Sequence, residues 1–147
     1  MSKIKKYFED HHSEYITRDK SHSERKNSFV IRSREEFYKI FLEEGILKGS
    51  GQPKCECFFL RESNDETFFI ELKGRSANVK KGIEQIIFSI KEIERLVPVD
   101  PLKVYAFIIG SSTPKPNSAI NNLKREFKQK YKKDIVIRTA NRYTHAI

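Results

Sequence analysis

Two short apolar runs, residues 55–60 and 67–73, flank the polar stretch Arg61-Glu62-Ser63-Asn64-Asp65-Glu66. Nothing else in the chain constrains the fold as much. Aromatic-rich runs separated by a turn containing Asn and Asp specify an antiparallel hairpin. Alternate residues of a strand share a face, so Glu56, Phe58 and Leu60 are expected on one side and Cys55, Cys57 and Phe59 on the other. On the second strand Phe69, Glu71 and Lys73 share a face. With residues 62–65 as the loop, Arg61 pairs with Glu66 and Glu56 falls opposite Glu71. A slip of two residues would set Glu56 against Lys73 on the same face.

Two carboxylates and a lysine therefore converge among phenylalanines. Directly opposed side chains lie roughly 4.5–5.5 Å apart at Cβ, and like charges there destabilise a sheet. A divalent cation reverses the sign of that interaction, because hard cations such as Mg²⁺ take carboxylate oxygens. Lys73, one strand period away, is suited to stabilise charge developing on a phosphate. The chemistry such a group supports is metal-assisted phosphodiester hydrolysis. The competing reading is an exposed hairpin face on which Lys73 offsets one glutamate.

The flanking segments place this hairpin in a larger sheet. After Gly74-Arg75-Ser76 the apolar positions Val79, Ile83, Ile86, Ile87, Ile90, Ile93 and Val97 form one stripe at helical spacing, and Pro98 ends the helix. Gln85 falls on the polar side of that stripe. Residues 104–109 do not alternate and read as a strand buried on both faces. A second helix begins near Asn117 or Ser118, with Ile120, Leu123, Phe127 and Tyr131 on one side and many lysines on the other. Residues 135–137 make a last short strand. A strand–helix–strand order of this kind implies a central mixed sheet flanked by helices, an α/β (α+β) architecture.

Upstream, Phe29-Val30-Ile31 reads as a short strand. Residues 34–47 are predicted helical from Ser33 with Glu36 as a capping box and from the spacing of Phe37, Ile40 and Phe41; a long strand is the alternative. Residues 1–28 read as a weakly structured polar arm or short hairpin, leaving 29–147 as one domain.

The chain of 147 residues carries 29 Lys+Arg against 20 Asp+Glu, a net charge of +9. Such a field attracts polyanions and equally serves solubility. No apolar run reaches the length of a membrane span, and the basic start lacks the apolar segment of a signal peptide. Cys55 and Cys57 are too close for an ordinary disulfide, so reduced thiols and an intracellular, cytoplasmic setting are expected; their spacing also departs from that of structural zinc sites. None of His11, His12, His22 and His145 has the neighbours of a catalytic triad, and His145 is expected to be solvated. The absence of a glycine-rich phosphate loop argues against a nucleotide-driven motor.

The run Cys55-Glu56-Cys57-Phe58-Phe59-Leu60, then Phe68-Phe69-Ile70-Glu71-Leu72-Lys73-Gly74, then a helix bearing Glu84-Gln85, resembles the PD-(D/E)xK nuclease superfamily. Its restriction-endonuclease-like fold is also used by archaeal Holliday-junction resolvases. The likeness covers about residues 34–110. It implies that Glu56 and Glu71 bind Mg²⁺ or Mn²⁺, that Lys73 is the catalytic lysine and that Gln85 lies near the active site. Some branches add an acid from a preceding element, for which Glu44, Glu43 and Glu36 are candidates. This sequence carries Glu56 where the family carries aspartate. The resemblance further implies an endonuclease acting on DNA, and a homodimer if both strands are cut. Arg75, Lys80 and Lys81, around the start of the helix, are candidate phosphate contacts. The alternatives are a nucleic-acid-binding module that has lost catalysis, and a protein-interaction domain for an acidic partner.

Overall fold

The computed structural model describes residues 2–24, 26–73, 79–110, 115 and 117–147. A six-stranded sheet has the order β1 (Ile16–Arg18), β4 (Phe37–Phe41), β5 (Cys57–Arg61), β6 (Thr67–Leu72), β7 (Val104–Ile109), β8 (Val136–Arg138). Strands β1, β4, β5 and β6 pair antiparallel, whereas β6–β7 and β7–β8 pair parallel. A three-stranded sheet joins β2 (Ser21–Glu24), β3 (Asn27–Arg32) and β9 (Arg142–Ala146), with β3 and β9 parallel. The helices are α1 (Lys3–His11), α2 (Val79–Leu96) and α3 (Ser118–Tyr131). The architecture is α+β with a mixed sheet at its centre.

The large sheet is buried on both sides, which is why its strands read as continuous apolar runs. Phe58, Leu60, Phe69, Val104, Ala106 and Ile108 pack with the apolar stripe of α2, with Phe127 and Tyr131 of α3 and with Ile4 and Phe8 of α1. Cys57, Phe59, Phe68, Ile70, Leu72, Phe107 and Ile109 pack instead against Phe29 and Ile31 of the small sheet. The described helices thus cover one face, and a second sheet covers the other. No helix among the described residues is long and apolar enough to cross a membrane.

The α2 stripe, β7, α3 and the β5–β6 register follow the sequence pattern: Cys57 pairs with Ile70 and Leu60 with Thr67, and the Arg61 amide donates to the Glu66 carbonyl across the loop. Five expectations are corrected. Residues 37–41 are the strand β4, followed by a five-residue turn at Leu42–Ile46. This strand sends Phe37 into one core and Tyr38 and Ile40 into the other, so burial on both faces erases the alternation that marks a strand. The described residues of the expected arm, 2–24 and 26–28, are built into the fold. The Ser2 hydroxyl caps α1 by accepting from the Lys5 amide at 3.0 Å, and the Phe8 ring meets Phe58 edge-on with centroids 5.8 Å apart.

Cys55 and Cys57 do not share a face. The chain bends at Glu56, and the Cys55 amide takes the Ser89 hydroxyl as acceptor at 2.9 Å, on the helix side; both thiols are buried and free. The strand 136–138 is not the last, since β9 follows it. There His145 is half-buried beside Phe68 and Phe107, with burial lowering its pKa, and is not solvated.

If α1 is part of the core, Phe8→Ala costs about 3–5 kcal/mol, the usual range for emptying a buried phenylalanine site. Urea denaturation measures this, and a loosely attached arm would give a change near zero.

Candidate functional site

The β5–β6 hairpin opens toward the start of α2. The ladder ends at the Cys57–Ile70 pair and the chain bends at Glu56, whose carboxyl feels the charge of Glu71. Leu42 and Glu43 donate their amides to the Glu56 carbonyl, which anchors the turn after β4 at this point. Glu71 is the penultimate residue of β6, on the same face as Phe69, and is 4% exposed. Its Oε2 lies 3.2 Å from Lys73 Nζ, while its Oε1 is buried without a hydrogen-bond partner among the described residues. Buried carboxylate oxygens are seldom left so, because the lost solvation is costly.

Lys73 is held from three sides. Its amide donates to the Ile109 carbonyl at 2.8 Å, its ammonium donates to Gln85 Oε1, and its carbonyl accepts from Asn27 Nδ2 of β3. Gln85 in turn donates through Nε2 to the Lys54 carbonyl at 3.1 Å. Two glycines make room. At Gly82 a Cβ would lie 3.3 Å from Lys73 Cε, and at Gly110, with φ at +87°, a Cβ would lie 2.6 Å from the Lys73 carbonyl oxygen. Gln85 is buried, correcting its expected place on the polar side of α2; that side packs on the loop preceding β5.

The small sheet adds residues that sequence reasoning missed. His22 Nε2 lies 2.9 Å from Glu56 Oε2, and a side-chain hydrogen bond joins Glu56 to Glu24. One ligand atom from each of His22, Glu24 and Glu56 lies within 4.8 Å of the other two. The available signal was the His22-x-Glu24 alternation, which puts both on one face of a strand. On that face His22 pairs with the buried Phe29.

Burial, the Glu24 hydrogen bond and the charge of Glu71 push the Glu56 carboxyl up to about 10. Burial raises Glu71 to about 7 against the opposing pull of Lys73. Burial first, then Lys39, lowers His22 to about 4. At neutral pH the His22–Glu56 contact is therefore a hydrogen bond between uncharged groups and not an ion pair. A cation at these oxygens would replace the proton that now keeps the like charges apart. The donor set and the orphaned Glu71 oxygen fit Mg²⁺ or Mn²⁺.

Of the other expected site residues, Glu44 is exposed on the turn after β4, and it is Glu43 whose charge acts on both Glu56 and Glu71. Glu36 is outside this cluster, 3.4 Å from Arg18. Lys80 and Lys81 are exposed in the first turn of α2. Lys81 lines a shallow groove of about 350 Å³ with Glu43, Gln52, Pro53, Lys54 and Gln85. Arg75 lies outside the described residues. No protein-family model, curated protein or solved structure matches this chain.

The pKa directions fix a pH dependence for the metal-free protein. Both carboxyls are raised from 4.5, so their contribution to stability is complete below that value. It falls as pH rises, through about 7 for Glu71 and about 10 for Glu56. His22 runs oppositely, its contribution present above 6.5 and lost as pH falls toward 4. In EDTA, Glu56→Gln is expected to raise the melting temperature by several degrees at pH 8, with the gain shrinking toward pH 4.5. Thermal melts across that range check this; a gain independent of pH would contradict the buried-charge account.

Proposed function

We propose that the protein is a metal-dependent nuclease that hydrolyses phosphodiester bonds, with DNA as the favoured substrate. The observation that carries this reading is the Glu71–Lys73 contact at 3.2 Å beside the buried Glu56, whose carboxyl feels the charge of Glu71, with one carboxylate oxygen of Glu71 unpartnered among the described residues. A restriction-endonuclease-like arrangement accounts for the same three side chains, the βαβ continuation through α2 and the parallel pairing of β6 with β7.

Glu56 and Glu71 would hold the cation. When bound, Mg²⁺ or Mn²⁺ supplies a Lewis acid to the phosphate and lowers the pKa of an attacking water. Lys73, its ammonium aimed by Glu71 and Gln85, presents a fixed positive charge where the phosphate oxygens gain negative charge. Gln85 is a positioning residue, tying Lys73 to the loop at Lys54. Lys54 and Lys81 line the groove beside Gln85 and supply contacts to backbone phosphates, which position a nucleic acid without reading its sequence. The net charge of +9 adds long-range attraction. Cutting both strands of a duplex would need two such sites, hence a homodimer.

The test is cleavage of plasmid, linear duplex, single-stranded and branched DNA and of RNA, with Mg²⁺, Mn²⁺ or EDTA. The wild-type protein is expected to cut a DNA substrate only with metal, and Lys73→Ala or Glu71→Gln to slow cutting by about 100-fold or more. Equal cutting by the variants would remove these residues from the mechanism. Salt-dependent binding without cutting by the wild type would instead support a nucleic-acid-binding module, and no binding at low salt would support a protein-interaction domain.

A further inference from the structure

The small sheet reaches the large one at the point where Glu56 leaves β5. Strand β2 presents the half-buried His22 and the exposed Glu24 on one face, opposite Phe29 and Asn27 of β3. Phe29 anchors that face in the core through rings of Phe59 and Phe107, and Asn27 donates to the Lys73 carbonyl. His22 is therefore held by the packing between the sheets and is not a side chain on a free edge. Lys39 approaches the same space, but its ammonium donates to the Ser21 carbonyl at 3.1 Å.

We propose that His22 is a metal ligand: with Glu24 and Glu56 it forms a nitrogen-and-carboxylate site, bordered by Glu71, that selects a first-row transition cation over Mg²⁺. The ligand atoms of the three residues lie within 4.8 Å of one another, a spacing one ion can bridge. An independent observation points to the same place. Glu71 follows Ile70, the partner of Cys57, and its charge acts on the Glu56 carboxyl; it is 4% exposed, and its buried Oε1 is unpartnered among the described residues. Mg²⁺ favours all-oxygen surroundings, whereas an imidazole nitrogen favours the borderline transition cations. One neutral imidazole among three carboxylates thus shifts the preference of the site. The proposal rests on Glu56 and Glu71 being cation ligands, and it does not require that the protein cut nucleic acid.

Mn²⁺ is the probe, because its electron spin reports directly on coordinated nitrogen. Pulsed electron paramagnetic resonance of the full-length protein with one equivalent of Mn²⁺ is expected to show ¹⁴N coupling from a bound imidazole. A calorimetric titration should give Mn²⁺ affinity at least about tenfold above that for Mg²⁺. His22→Gln keeps a hydrogen-bonding amide beside Glu56, and in it the ¹⁴N coupling should vanish while the Mn²⁺ preference falls to about threefold or less. Glu24→Gln should weaken Mn²⁺ binding but retain the nitrogen signal at saturation. Circular dichroism checks the fold of each variant. Should His22→Gln not fold, the ¹⁴N signal in the wild type and its persistence in Glu24→Gln decide the matter. Mn²⁺ bound without ¹⁴N coupling, or coupling unchanged by His22→Gln, overturns the role of His22 and leaves the nuclease reading to its cleavage assay. No Mn²⁺ binding at all overturns this site and the cation-binding role of Glu56 and Glu71 together.

Discussion

The burial of two carboxylates at the mouth of an otherwise apolar hairpin governs the organisation around it. Glu56 and Glu71 cannot both ionise there at low cost, since each loses solvation and each repels the other. The surrounding elements meet this constraint in different ways. Lys73 offsets Glu71 directly, and Gln85 steadies Lys73 from α2. On the other flank, His22 and Glu24 surround Glu56 with hydrogen-bonding groups. Replacing this arrangement with apolar residues of similar volume would give a more ordinary sheet end. The proposed cation site gives this arrangement a reason to be kept at a cost in stability.

The two layers that cover the large sheet divide this task. The helical layer supplies Gln85 and the exposed lysines at the start of α2, while the small sheet supplies His22, Glu24 and Asn27. Each layer is fixed by its own aromatic core, so the donors arrive on packed elements and not on free loops. Asn27 joins the layers, since its side chain holds the Lys73 carbonyl while its strand pairs with both β2 and β9. Disturbing the small sheet should therefore be felt at Lys73 even though no residue of that sheet touches its ammonium among the described contacts.

What was legible in the sequence follows from range. The hairpin register was readable because the loop between Arg61 and Glu66 fixes it locally, and the helix stripe was readable because a helix shows its period within a few turns. The strand at 37–41 was misread as helical, since Phe37, Ile40 and Phe41 satisfy the helical spacing while the strand's two buried faces hide its own period. Residues 1–28 were misread because Ile4 and Phe8 are sparse among charges, and only the tertiary fold shows that both enter the core. Strand β9 pairs with β3 across more than a hundred residues, a contact no local pattern announces. The same limit hid the donors at the site. Glu56, Glu71 and Lys73 stand out against apolar neighbours, whereas His22 and Glu24 lie in a polar stretch where another histidine and another glutamate draw no attention.

The central claim is that the carboxylates of Glu56 and Glu71 are gathered to hold a divalent cation. Anomalous diffraction from a crystal grown with Mn²⁺ tests it most directly. The account predicts an anomalous peak about 2.0–2.6 Å from carboxylate oxygens of both Glu56 and Glu71. A map with no peak there, the Glu71–Lys73 pair intact and Glu56 still bonded to His22, would contradict it and leave the cluster as a structural network of hydrogen bonds.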